Sequence, residues 1–257
     1  MKLLAIGDVV SAAGCEHLGK ALPELKKYYG ADFAIVNGEN SAVGNGITPK
    51  SAELLFDCGA DVITLGNHAL RRPEIYDYLD EHGRIIRPAN LHPSAPGSGM
   101  AVLDLGFTRA AVINIQGNVY LETHKNAFDC ADEMIAKAEA EGCRIILVDF
   151  HAEATSEKRA MGFYLDGRAS AVFGTHTHVQ TSDNQILPNG TGYITDLGMT
   201  GAANSVLGIE PELAIKKMKT MLPVRFKNPE GDCVCEGCFF EIDDKTGNAV
   251  FTEAFRR

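Results

Sequence analysis

Three apolar runs in the first 65 residues end in the same way. Leu3-Leu4-Ala5-Ile6 runs into Gly7-Asp8, Phe33-Ala34-Ile35-Val36 into Asn37-Gly38-Glu39-Asn40, and Val62-Ile63-Thr64-Leu65 into Gly66-Asn67-His68. A short apolar run bounded by turn residues reads as a buried strand. Helical stretches separate the three. Gly14 to Tyr29 carries Leu18, Leu22 and Leu25 on one face, with Pro23 placed to kink it. A second helix opens on Thr48 as N-cap with Pro49 at its first position, and ends near Cys58-Gly59. Strand alternating with helix predicts an α/β fold with parallel pairing. In such sheets ligands bind beyond the carboxyl ends of the strands, and a glycine there lets the backbone turn sharply and approach a ligand.

The remaining chain continues the alternation. Pro73 to Glu81 reads as a short helix, Ile85 to Asn90 as a strand, and Leu91 to Gly99 as a surface loop rich in Pro, Gly and Ser. Ala101 to Gln116 reads as two strands around a turn near Gly106, and Phe128 to Glu141 as a helix. Ile145 to His151 is a buried strand with a polar exit, after which Thr155-Ser156-Glu157 offers capping chemistry. The run Ala169 to Phe173 leads into Gly174-Thr175-His176-Thr177-His178, and the two imidazoles fall on one side if strand geometry persists. Tyr193 to Asp196 is a further strand and Glu210 to Met221 a helix. Val224 to Phe255 reads as strands with turns at Asn228-Pro229 and Thr246-Gly247, antiparallel at a sheet edge. With no internal repeat and no low-complexity linker, residues 1–257 are expected to form one domain.

Charge narrows the partners. The formal net charge is -10 and no Lys/Arg block stands out, which argues against an extended nucleic-acid surface but leaves room for a small anionic substrate. Seven cysteines, no expected secretory leader and no run of about 18 apolar residues lead to the expectation of a cytoplasmic chain with reduced thiols and no membrane contact. Self-association into a homo-oligomer is left open.

Seven residues gather at or near the predicted strand ends: Asp8, Glu39, Asn40, Asn67, His151, His176 and His178. Each has a plainer reading alone: Asp8 as a helix cap, Glu39 and Asn40 as turn residues, His151 as a satisfied core histidine. Together they form a carboxylate, amide and imidazole set without thiolate, suited to Fe, Mn or Zn. Seven ligands are too many for one ion and suit two, roughly 3.5–4 Å apart and sharing a carboxylate. His68, beside Asn67, can stand at the rim without ligating, and imidazole titrates near neutrality. Cys233, Cys235 and Cys238 resemble a thiolate site without its fourth ligand and read as packing, as do Cys15, Cys58, Cys130 and Cys143. His17, His82, His92 and His124 receive no role. Arg71, Arg72 and Arg168 read as solvated charges.

The order of these blocks resembles the calcineurin-like metallophosphoesterases: Gly7-Asp8, Gly38-Glu39-Asn40, Gly66-Asn67-His68, Asp149-Phe150-His151 and Thr175-His176-Thr177-His178. Val10 stands where that family's first block carries a histidine, and Glu39 where it carries a bridging Asp. These departures, with the stretches from Asp149 to Lys158 and from Thr195 to Gly201, are similar to the YmdB-like bacterial phosphodiesterases. The resemblance implies the calcineurin-like α/β fold, central β-sheets packed as a sandwich and flanked by helices. It implies that Asp8, Glu39, Asn40 and His178 hold one metal, and Glu39, Asn67, His151 and His176 the other. Glu39 would bridge, Asn40 would replace the missing histidine, and His68 would be the catalytic acid. Iron or manganese is implied first, zinc next, with a cyclic nucleotide, 2′,3′-cyclic above all, as substrate. Hydroxide formed between the ions would attack phosphorus in line while His68 protonates the departing ribose oxygen, releasing a nucleoside monophosphate. Two other functions compete: a nucleotide-binding regulator with little turnover, and a phosphomonoesterase. Loops Ser41 to Ile47 and Leu91 to Gly99 are expected to shape substrate choice. Asp196 and Glu74 are the candidates for orienting His68.

Overall fold

Strand parity decides the layering. The computed structural model describes residues 1–106 and 108–257; Phe107, beside the turn expected near Gly106, lies outside them. In β1 (Lys2–Ile6) successive side chains point to opposite faces. Leu4 and Ile6 join a helix-side core, while Leu3 and Ala5 join a core between two sheets. The first sheet continues with β2 (Asp8–Val9), β3 (Phe33–Asn37), β4 (Val62–Thr64) and β5 (Ile85–Ile86), where β1, β3, β4 and β5 run parallel. Its outer face is covered by α1 (Ser11–Tyr29), α2 (Pro49–Asp57) and, after a 3-10 turn at Pro73–Ile75, α3 (Tyr76–Glu81). Helix α1 runs through Pro23 without ending there. Helix α2 is capped as the sequence predicts: the Thr48 side chain accepts from Ser51 N–H, with Pro49 in the first turn.

The second sheet contains β6 (Met100–Asp104), β7 (Arg109–Gln116), β8 (Ile145–His151), β9 (Ala171–Thr175), β10 (Gln185–Ile186) and β11 (Gly192–Ile194), in the order β10-β11-β9-β8-β7-β6. Strands β7, β8, β9 and β11 run parallel. Helices α4 (Ala127–Ala140) and α5 (Thr155–Tyr164) pack on its outer face through Ala131, Ile135 and Met161. Between the sheets lie Phe33, Ile35 and Phe240 from one side and Val112, Leu147 and Phe173 from the other. Each such buried side chain contributes about 1.5–3 kcal/mol. The result is the α/β sandwich of two helix-flanked sheets that the sequence leads one to expect.

The first sheet is completed by β12 (Met199–Ala202), β13 (Cys233–Ile242) and β14 (Ala249–Arg256), with α6 (Pro211–Thr220) between β12 and β13. Here three expectations are corrected. The C-terminal hairpin is antiparallel, but β13 also pairs with β1, so only β14 can take an edge. The strand expected over Ile85 to Asn90 stops at Ile86, because Arg87 N–H turns to Ser98 C=O and Pro88 has no N–H to give. The capping chemistry of Thr155-Ser156-Glu157 is not realised at α5, whose N-cap residue is Ala154 with no side-chain cap. Instead the buried Glu157 carboxylate accepts the N–H groups of Asn118 and Val119.

All seven cysteines are free. Cys235 faces the helix-side core and Cys238 the inter-sheet core, as an odd spacing on a strand requires, so these thiols cannot share an ion. Among the described residues no helix is long and apolar enough to cross a membrane.

Candidate metal centre

The parallel strands of both sheets deliver their exits to one place. Gly66, after β4, lies against the His151 ring; a Cβ there would sit 2.2 Å from Nε2, so only glycine admits the imidazole. Glu39 Oε1 lies 3.3 Å from His151 Nε2, which also faces Asn67 Oδ1 at 2.9 Å and His176 Nδ1 at 3.1 Å. Glu39, His151 and His176 can each offer a ligand atom within 4.8 Å of the others. On the other side, Asp8 Oδ1 lies 3.5 Å from His178 Nε2. Asn40 Nδ2 reaches both Glu39 Oε1 and His178 Nε2 at 3.2 Å. All seven residues singled out from the sequence therefore stand in one cluster, with Glu39 between its halves.

Hydrogen-bond polarity says what the cluster lacks. Thr175 Oγ donates to Asp149 Oδ1 at 2.6 Å, so it must accept from His151 Nδ1 at 2.9 Å. That fixes the proton of a neutral His151 on Nδ1 and turns the Nε2 lone pair toward a carboxylate, an amide oxygen and a second imidazole. Asp8 Oδ1 is buried with no hydrogen-bond partner among the described residues. Acceptors facing acceptors in a buried site call for a cation, and the donors are of the type that hold Fe, Mn or Zn. One donor is turned the other way. Asn40 presents its amide nitrogen to this cluster and its oxygen to His68, and only the oxygen can bind a metal.

Electrostatics agree. Burial pushes Glu39 up, but the charges and hydrogen bonds of His151 and His68 outweigh it and hold the carboxyl well below its ordinary value. Burial would lower His178, yet the Asp8 carboxylate raises it to about 9. His151 is likewise raised against burial, chiefly by Glu39. Without a cation the site draws protons in its place. His176, lowered to about 4 by burial and by His151, remains a neutral donor. Its Nε2 is held by Glu153 Oε2 at 3.0 Å. Burial raises Asp149 to about 6.

Two sequence expectations fail locally. Strand geometry does not persist past Thr175: His176 and His178 have φ of 101° and 62°, so a strained turn, not strand alternation, aims the rings. Neither Asp196 nor Glu74 orients His68. Its Nδ1 is held by Asn40 Oδ1 at 2.9 Å with Glu39 Oε1 at 3.5 Å, its N–H donates to Glu39 Oε2, and Asp196 is bound to Lys158. Nε2 of His68 has no hydrogen-bond partner among the described residues.

The cluster opens into a cavity of about 280 Å³. Of the two loops expected to shape it, only Ser41 to Ile47 contributes, through Asn45; Leu91 to Gly99 lies elsewhere, packed on the Arg87 guanidinium and Asp80. The walls come instead from Val10, marked in the sequence only as the place of an absent histidine, and from Glu153, Leu207, Ile209 and Asn228, which sequence reasoning missed. Glu153 had a signal, lying two residues beyond His151. Leu207, Ile209 and Asn228 sit in irregular segments with none.

A family model described as "YmdB-like protein" matches residues 4–255. The chain belongs to the YmdB-like family. It is 49% identical over 98% of its length, and 96% of the relative's, to the 2′,3′-cyclic-nucleotide 2′-phosphodiesterase of Bacillus subtilis (strain 168). Among solved structures, a hypothetical protein from Thermus thermophilus superposes with a TM-score of 0.92 at 38% identity, covering 100% of this chain and 99% of that one. A novel phosphatase from Mycoplasma pneumoniae gives a TM-score of 0.92 at 35% identity, covering 100% and 93%. Membership in the YmdB-like family makes the chain an enzyme of the hydrolase class.

Proposed function

We propose that this chain is a metal-dependent phosphodiesterase acting on cyclic nucleotides, 2′,3′-cyclic ones first, and that Asp8, Glu39, Asn40, Asn67, His151, His176 and His178 hold two cations. One observation carries the reading: two buried carboxylates and three imidazoles from both sheets meet with lone pairs turned on one another. The name of the Bacillus subtilis relative supplies the substrate class. Iron or manganese suits the donors best, zinc next. Two cations there would supply a water acidified at neutral pH and charge compensation for the phosphoryl oxygens. The cavity gives them that task, since no Lys or Arg lines it among the described residues.

The chain's own groups do the rest. Asp149, through Thr175, holds His151 with Nε2 toward the site. Glu153 holds His176 from outside. Glu39, between the two halves, offers one carboxylate to both. Asn40 would bind a cation by turning its amide over, oxygen inward; in either orientation the amide engages His68 Nδ1, which leaves Nε2 to carry the transferable proton to the departing ribose oxygen. Asp8 raises His178 to about 9, so cation uptake at that side releases a proton at neutral pH.

The test is a side-by-side assay of protein stripped by chelation and refilled with Mn²⁺. We expect 2′,3′-cyclic nucleotides to be opened with kcat/KM at least about tenfold above that for nucleoside monophosphates, and stripping to lower the rate about 100-fold or more. Faster monoester cleavage would favour the phosphatase named for the Mycoplasma pneumoniae structure. Tight nucleotide binding without turnover would make the protein a regulator.

A further inference from the structure

Two stretches that drew notice in the sequence, Asp149 to Lys158 and Thr195 to Gly201, contribute residues that meet beneath the His176–His178 turn. Lys158 Nζ lies 2.5 Å from Asp196 Oδ2, with side chains 1% and 0% exposed. Neither lines the cavity. Their other bonds end on backbone that carries the candidate ligands. Lys158 Nζ donates to the carbonyl of Thr175, the residue before His176, at 2.8 Å. The N–H of Thr177, between the two histidines, donates to Asp196 Oδ2 at 3.3 Å. Gly198 N–H donates to Asp196 Oδ1 at 2.9 Å, and Gly198 C=O accepts from Asp8 N–H at 3.2 Å. His176 N–H donates to Asp8 Oδ2 at 3.1 Å, which closes the ring.

A buried ion pair is weak evidence for stability, because an apolar pair of similar volume often fills the space at no net cost. What an apolar pair cannot do is bond to the carbonyl at the end of β9 and to the Thr177 and Gly198 N–H groups in the two turns beside it. The φ values of His176 and His178 (101° and 62°) show how far this backbone departs from strand geometry. Such conformations persist only where their surroundings over-determine them.

We propose that the Lys158–Asp196 pair is a positioning device that sets the Thr175–His178 turn and the Asp8 backbone before any cation arrives. Lys158 and Asp196 are positioning residues, acting through His176, His178 and Asp8. The proposal rests on the two-cation reading above and adds what holds the ligands ready.

The test starts on the unaltered protein. After chelation, amide hydrogen exchange at Thr177 and Gly198 is expected to stay protected, changing less than about tenfold when Mn²⁺ is added. Rapid exchange that slows only with Mn²⁺ would overturn the proposal, since the metal would then organise the turn. The double variant K158M/D196N removes both charges together and leaves no lone buried ion. We expect it to melt close to the unaltered protein, exchange Thr177 faster by about 100-fold, and bind Mn²⁺ on the Asp8–His178 side about 10–100-fold more weakly. Two equivalents bound with unaltered affinity would overturn the proposal and leave the two-cation reading standing. An unaltered protein that binds no Mn²⁺ would end the two-cation reading, and this proposal with it. If the double variant does not fold, the exchange result decides.

Discussion

Replacing Glu39 by glutamine is expected to lower kcat/KM for a cyclic diester by about 1,000-fold or more, ~4 kcal/mol of transition-state stabilisation. The substitution barely changes volume, so the fold should hold. What it removes is the charge shared by both halves of the centre. Glu39 Oε1 lies 3.3 Å from His151 Nε2 and accepts from Asn40 Nδ2, while Oε2 accepts from His68 N–H. An amide supplies one oxygen for these partners and turns an N–H toward the rest. The carboxyl is held well below its ordinary pKa, so the charge lost is a full one at any pH near neutrality. Steady-state kinetics with metal content on the same sample checks this: the variant is expected to retain fewer than two equivalents. Activity within about tenfold of the unaltered enzyme would mean that Glu39 is not shared.

Replacing His68 by alanine is expected to leave both cations bound and to lower kcat by about 100- to 10,000-fold. His68 touches the centre only from its rim, through Asn40 and Glu39, and is a quarter exposed where His151 is fully buried. In the proposed mechanism its removal takes away a proton donor and no ligand. The leaving group discriminates. A diester that expels a nitrophenolate needs no protonation, so its loss should be much smaller than the loss with a ribose oxygen. Metal loss in this variant, or equal losses for the two substrates, would contradict the assignment.

The contrast between what the sequence revealed and what it hid follows the range of the interactions. Thr48 and Pro49 announce α2 because an N-cap needs only neighbours in sequence. The three strand exits are legible because a glycine followed by a polar residue marks each, and parallel strands bring those ends together. Parity also held answers that spacing states outright. Asp149 and His151 share one face of β8, which hints at the Thr175 relay, and Cys235 and Cys238 fall on opposite faces of β13. The rest needed tertiary contact. Nothing near Glu157 in sequence says that it serves Asn118 and Val119 instead of its own helix. Nothing near His68 points to Asn40, 28 residues away, as the group that orients it. Leu207, Ile209 and Asn228 reach the cavity from irregular chain with no periodicity to read.

Anomalous diffraction from crystals of this protein loaded with Mn²⁺ tests the central claim most directly. We expect two peaks roughly 3.5–4 Å apart, one against Asp8, Asn40 and His178, the other against Asn67, His151 and His176, with Glu39 between them. A single peak, or none among these seven residues in protein that turns over a cyclic diester, would contradict the account.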